Sequence, residues 1–425
     1  MILKMAWKNM LRYKRRSLIT ASAVAFGVVF TVLFDALIYG IANETDINLL
    51  NYECSGVKFF AKGYFEKIEE LPIDYLIEKK DVELITNYLN SEKIPCTPEL
   101  ASECEIFFNE DYFEASGSIT GALIGIDPIK TKSVYKLHES IRSGTWLEKN
   151  ADEPYCSGVV VGSWIADDMN AQLGYYITVQ CKGRGGFTQT MDVPIVGILH
   201  CLDTTINSNY IFMDINYLDE MLEMDGAVTA IDAGLGSRFN VDQNIEKLKK
   251  DLQETQLLSK TNAEFKTWRE INEDSMNIQS FYTLVTDILM LFMFVIAAVG
   301  ISNTMLMSVI ERKNEIAMLK AMGYSSGYIK RLFMCEGVSI GIVGCILGFA
   351  VACILNIPMS TVGINIGGLL DDVDMGFRIN NIVRSAWDPV GFVKVTAGAL
   401  ITAGIAAIIP TVSIVKKEIA DIFKN

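Results

Sequence analysis

VIERKNEIAMLKAMGYSSGYIK (residues 309–330) is a charged interval between two of the most apolar segments of a 425-residue chain. It holds two acids, Glu311 and Glu315, and four bases, Arg312, Lys313, Lys320 and Lys330. Apolar blocks flank it at 281–310 and 333–357, and two more lie at 17–42 and 390–415. A helix crosses the hydrocarbon core with roughly 20 apolar residues, so all four blocks are long enough to span with some tilt. Half of the chain is hydrophobic and only 21% is charged. The first block resembles a secretory signal in its basic flank. Its apolar run is too long for one, and no clear small-x-small cleavage site follows, so it reads as a retained anchor.

Lysine and arginine near the helix ends set the orientation. Residues 1–16 carry six bases and no acid, 311–332 carries five bases, and 416–425 adds three lysines. These three segments are expected in the cytoplasm, with both termini. Residues 43–280 and the acidic loop 358–389 are expected outside. The 43–280 segment has 20 bases against 40 acids. Such a balance argues against nucleic acid as a partner, because phosphate binding needs a basic face. Solubility alone accounts for the acidity. Six of nine cysteines fall in this segment, where disulfides are permitted, and the spacing selects none of their fifteen pairings. Two histidines and no CxxC argue against a metal site.

The opening residues 1–16 alternate apolar and basic side chains, as in a helix lying along the inner headgroups. The 43–280 segment reads as mixed α/β. Strands are expected at 56–61 and 121–126, and a strand–helix–strand unit over 157–180, with the helix at 164–173 and a stop at Gly174. Strand character resumes at 187–199, a strand and a helix follow over 209–222, and 240–256 forms a helix with Ile245, Leu248 and Leu252 on one face. Residues 258–280 carry no proline, and a helix is expected to continue through them into the second span. The fold class is thus an α-helical membrane protein with four transmembrane helices and a large mixed α/β extracytoplasmic domain inserted between the first two.

The chain lacks GxxxxGK[ST], GxSxG, HExxH and GxGxxG, so no ATP-binding or catalytic motif is present, and no cofactor is expected. Residues 311–322 read as a short helix in which Arg312 and Glu315 can pair. Gly323 stops it and Ser325 caps the next turn. A solvated loop obeying the positive-inside rule would show the same charge.

Residues 303–348 resemble the signature of the FtsX/MacB-type ABC permease family. The matching positions are Asn303, Ser308–Val309, Glu311–Arg312, Glu315–Ile316, Leu319, Ala321–Met322–Gly323, Ile329, Phe333 and Glu336–Gly337. In the α/β segment, 159–179, 193–199 and 210–222 resemble the family's extracytoplasmic core domain, and 56–66 is similar to the lipoprotein-releasing LolC/LolE-like branch. The resemblance implies a non-catalytic permease of the cytoplasmic membrane. It would pair with a second permease, as a homo- or heterodimer, and work with a separate ABC ATPase subunit. The coupling helix would use Glu311, Arg312, Lys313, Glu315, Ile316, Leu319, Lys320, Met322 and Gly323. The implied cargo is lipoprotein passed to a carrier. MacB-like peptide or small-molecule export and FtsX-like signalling to a cell-wall hydrolase are the alternatives.

Asp35, Asp287, Phe292 and Phe294 are candidates for an outer-leaflet cargo cavity among membrane lipid. The plainer alternative is that the two aspartates reach headgroups and water and the phenylalanines pack or face lipid. Glu336 is expected to support the coupling helix. Gly337, Gly341, Gly344 and Gly348 allow close helix approach, to a neighbour in the same chain or in a second one. DDVDMG (371–376) lacks the ligand spacing of a calcium loop.

Overall fold

The computed structural model describes residue 7 and residues 14–108, 117–149, 154–365 and 382–415. The expected interfacial helix of 1–16 falls outside these residues apart from position 7 and 14–16, as do the DDVDMG run and the 416–425 tail. The chain divides into two compact units, one of them formed by residues 44–276 with a short later segment, the other by the long helices.

The helical unit contains four helices long and apolar enough to cross a membrane: α1 (Lys14–Asn48), α2 (Glu273–Glu311), α4 (Ser326–Thr361) and α5 (Pro389–Val415). The short helix α3 (Lys313–Ala321) lies between α2 and α4. Each apolar block expected from the sequence lies within one of these helices, and the helices overrun the blocks at their polar ends. The helices share one core, with Val24 and Val28 of α1, Phe294 and Ile301 of α2, Ile340 of α4 and Ala403 of α5 among its buried members.

The glycines of α4 divide between two neighbours in this same chain. A Cβ on Gly337 or Gly341 would meet Ala407 or Ala403 of α5; on Gly344 or Gly348 it would meet Val24 or Val28 of α1, at 2.7 and 2.8 Å. Two small-xxx-small pairs thus let one helix approach two others closely.

The α/β unit is built on a sheet of ten strands among the described residues: β1 (Gly56–Ala61), β2 (Cys96–Phe108), β3 (Gly117–Ile126), β4 (Ile141–Gly144), β5 (Val159–Gly162), β6 (Tyr176–Lys182), β7 (Thr188–Leu199), β8 (Tyr210–Asp214), β9 (Ala230–Gly234) and β10 (Ala263–Thr267). Nine strands run in the order β10-β1-β9-β2-β3-β8-β5-β7-β4, and β6 pairs with both β2 and β7. Alternate side chains go to opposite faces. Val57, Phe59, Val159 and Val161 enter the larger core, while Val160, Ile124 and Phe212 enter a second core across the sheet.

The first strand has the bounds that the sequence suggests. Helix Val241–Thr255 buries Ile245, Leu248 and Leu252 as expected. The helix after β5 ends at Asp168, short of the expected Leu173, and Gly174 takes a φ of +81°. Residues 258–280 differ more. Ala263–Thr267 is an edge strand pairing antiparallel with β1 in the register Phe59↔Phe265. A capping box between Thr267 and Glu270 then starts a single turn, which Asn272 breaks with φ −108° before α2 begins. Backbone pairing to β1 outweighs the helical pattern here.

The last turns of α1, from Glu44 onward, belong to the α/β unit. Asp46 accepts the Arg238 guanidinium at 2.7 Å, and Leu49 and Leu50 are buried in the larger core.

Candidate functional site

The charged interval forms an elbow with one face locked and one face open. At its start the α2 helix breaks at Arg312, whose φ of −102° leaves the helical range. The Arg312 carbonyl accepts the first hydrogen bond of α3 from the Ile316 N–H, at 3.0 Å. At its end, the Tyr324 N–H donates to the Leu319 carbonyl and the Gly323 N–H to the Lys320 carbonyl, the paired bonds of a Schellman motif. Gly323 makes this turn with φ +87°, a conformation that glycine adopts without Cβ strain. Ser325 then accepts a hydrogen bond from the Tyr328 N–H and caps α4.

Arg312 locks the elbow to the bundle. Its Nη1 donates to Glu336 on α4 at 2.9 Å and its Nε to Glu315 on α3 at 2.8 Å. The guanidinium also stacks over the Phe333 ring at 5.2 Å, a cation–π contact. Arg312 is 8% exposed and Glu336 4%, so the desolvation cost of both charges is offset only by this fixed geometry. Arginine suits the task because its planar fork serves two carboxylates at once. Ile316 is buried in the bundle core and Leu319 packs against it. A second link joins α1 to the end of α2: Arg16 pairs with Glu311 at 3.3 Å and donates to the Thr304 carbonyl, and the Thr20 and Thr304 hydroxyls meet at 2.6 Å.

The open face carries Met318 (56% exposed), Met322 (61%) and Tyr324 (40%), with the Tyr324 ring 4.9 Å from that of Tyr328. Glu311 and Asn314 extend this exposed side. The expected coupling residues thus separate. Arg312, Ile316 and Leu319 face the bundle, Lys313, Glu315 and Lys320 lie at the border, and Glu311, Met322 and Gly323 face outward. Sequence reasoning missed Met318, Tyr324, Arg16 and Thr304. The spacing 314, 318, 322 is a helical stripe and was the available signal for Met318.

The two phenylalanine candidates for a cargo cavity lie on different sides of α2. Phe294 is buried and would be struck by a Cβ on Gly398 of α5, whereas Phe292 is 61% exposed on the other side of α2. Asp287 is exposed. Asp35 is half-buried, its carboxylate against Gly391 at the start of α5, with Asp388 close by. Among the described residues no cluster of metal-ligating side chains occurs.

Residues 288–419, which hold most of this helical unit and its elbow, match the family described as FtsX-like permease C-terminal, and the relatives that the chain resembles are ABC transporter permeases. An uncharacterized ABC transporter permease of Methanocaldococcus jannaschii is 24% identical over 83% of each chain. The lipoprotein-releasing system transmembrane protein LolE of Haemophilus influenzae is 23% identical over 48% of this chain, which spans 49% of LolE. Among solved structures, the periplasmic region of MacB from Actinobacillus actinomycetemcomitans covers 52% of this chain and 93% of its own, at 14% identity and a TM-score of 0.36.

Proposed function

We propose that the α3 elbow is the grip of a separate ABC ATPase, and that the permease relays ATP-driven motion from it to the α/β unit outside the cytoplasmic membrane. Both termini and the elbow then lie in the cytoplasm. The observation that carries this reading is the division of α3 into two faces. Exposed methionines and a tyrosine form an adaptable apolar contact, while the buried Arg312–Glu336 pair passes any force on them into α4. Small helix elbows of this kind bind by seating an apolar stripe in a groove. α1 continues without interruption into the α/β unit, which supports transmission through stiff helices. Two such permeases would work together, each with its own grip.

The cargo is proposed to be lipoprotein, taken from the outer leaflet and handed to a carrier, as the similarity to a lipoprotein-releasing protein supports. The grip is tested by co-purifying the ATPase with the Met318→Asp, Met322→Asp double variant. Loss of the complex with normal membrane insertion is expected; an intact complex would refute the grip. For the cargo, depletion should leave lipoproteins in the cytoplasmic membrane. Unchanged lipoprotein sorting, with altered drug export or altered cell separation, would move the cargo to one of those classes and leave the grip standing.

A further inference from the structure

A second site lies inside the α/β unit. A cavity of about 140 Å³ opens over one face of the sheet. Its walls are apolar, mixing the rings of Phe60, Tyr64, Tyr210 and Phe212 with aliphatic side chains, and its charged groups are Glu53, Lys58 and Glu99. Lys58 of β1 faces Asp232 of β9 directly across the strand pair. Its ammonium lies 2.9 Å from Glu99 and 3.3 Å from Asp232, whose side chain is wholly buried. The Tyr135 hydroxyl lies 2.6 Å from Asp232 Oδ1 and 2.8 Å from the Glu53 carbonyl oxygen. Asp232 Oδ2 has no hydrogen-bond partner.

The charges do not balance. Glu99 and Asp232 hold the one ammonium, and Glu53, with Asp203 beside it, adds further carboxyls nearby. Buried carboxylates without enough cations take up protons. Burial first, and then Asp203, pushes the Glu53 carboxyl up to about 8. A ligand that brings its own positive charge would relieve that deficit. An anion would meet the carboxyl excess, and Lys58 is already held by two partners. The aromatic walls favour a cation that also carries an apolar body, and apolar walls with a few convergent polar groups are the form of a small-molecule site.

We propose that this cavity binds a small organic ammonium compound, its charge against Glu99 and Glu53 and its hydrocarbon part between the aromatic rings. The site is independent of the grip at α3 and of the cargo.

The test is calorimetric titration of the full chain in lipid nanodiscs with butylammonium, and with butyrate and butanol of equal chain length. Saturable binding of butylammonium alone is expected. Glu99→Gln and Glu53→Gln should each weaken it at least about tenfold, the scale of one lost charge-assisted hydrogen bond. No binding of butylammonium, or butyrate binding as well, would overturn the proposal, and that comparison needs no variant. Binding unchanged in both variants would overturn it too.

Discussion

Arg312 and Glu336, 24 positions apart, form a buried ion pair at 2.9 Å that fixes the break after α2 to the inner part of α4. Phe333 lies under the guanidinium and Glu315 holds its other edge. Removing Glu336 leaves the buried Arg312 charge with Glu315 as its carboxylate partner and breaks the tie to α4, a loss of up to about 3–5 kcal/mol. Glu336→Ala should therefore lower the melting temperature in detergent, and Arg312→Met, Glu336→Leu together should recover much of it. A Glu336→Ala protein that melts like the parent would show the pair to be unimportant.

The exposed face of α3 should behave differently. Met318→Asp and Met322→Asp alter open positions, so stability should change by no more than about 0.5 kcal/mol. ATPase stimulation in reconstituted vesicles should be lost in the same variants. Loss of stability and coupling together would mean that these methionines pack within the chain.

The α4 glycines predict a positional series. Gly344→Val would drive a side chain into Val24 and the Ala21 carbonyl, an overpacking cost of about 1–3 kcal/mol. Gly337→Val should do the same against Ala407. Gly300→Ala in α2 meets nothing within 4 Å and should be neutral or gain up to about 1 kcal/mol from helix propensity. Thermal unfolding of the three variants orders them.

The acid cluster of the α/β unit predicts a pH dependence. The Glu53 carboxyl rises from 4.5 to about 8, through burial first and Asp203 second. A raised acid binds more protons folded than unfolded, so its contribution is full below about 4.5 and is lost as pH rises through about 8. Asp232 is raised by burial too and has the same sign. The melting temperature should fall across that window, and Glu53→Gln should flatten the fall. A transition that instead rises over this range would contradict the assignment.

Sequence legibility follows the range of the forces involved. The apolar blocks, Gly323, Ser325 and the Arg312–Glu315 pair rest on local periodicity and capping, and each is readable from neighbours in the chain. The β2 strand escaped notice because Pro98, Glu99, Glu103 and Glu105 mask its alternation, although Leu100 and Ile106 are fully buried. The β10 strand reads as helix in the sequence because AEFKT becomes a strand only by pairing with β1. Lys58, Asp232 and Glu53 look like ordinary surface charges in sequence. Only the folded sheet brings them together. The glycine pairs announced close packing, but their two separate neighbours required the tertiary arrangement.

At Gly337, Gly341, Gly344 and Gly348 the seam of α4 against α1 and α5 sets bare backbone against small or β-branched carbons. Such a seam offers few rotamers to rearrange when one rod slides past its neighbour, so sliding of packed helices is the inexpensive motion. Axial travel is the motion that the proposed grip at the ion-paired elbow would draw on.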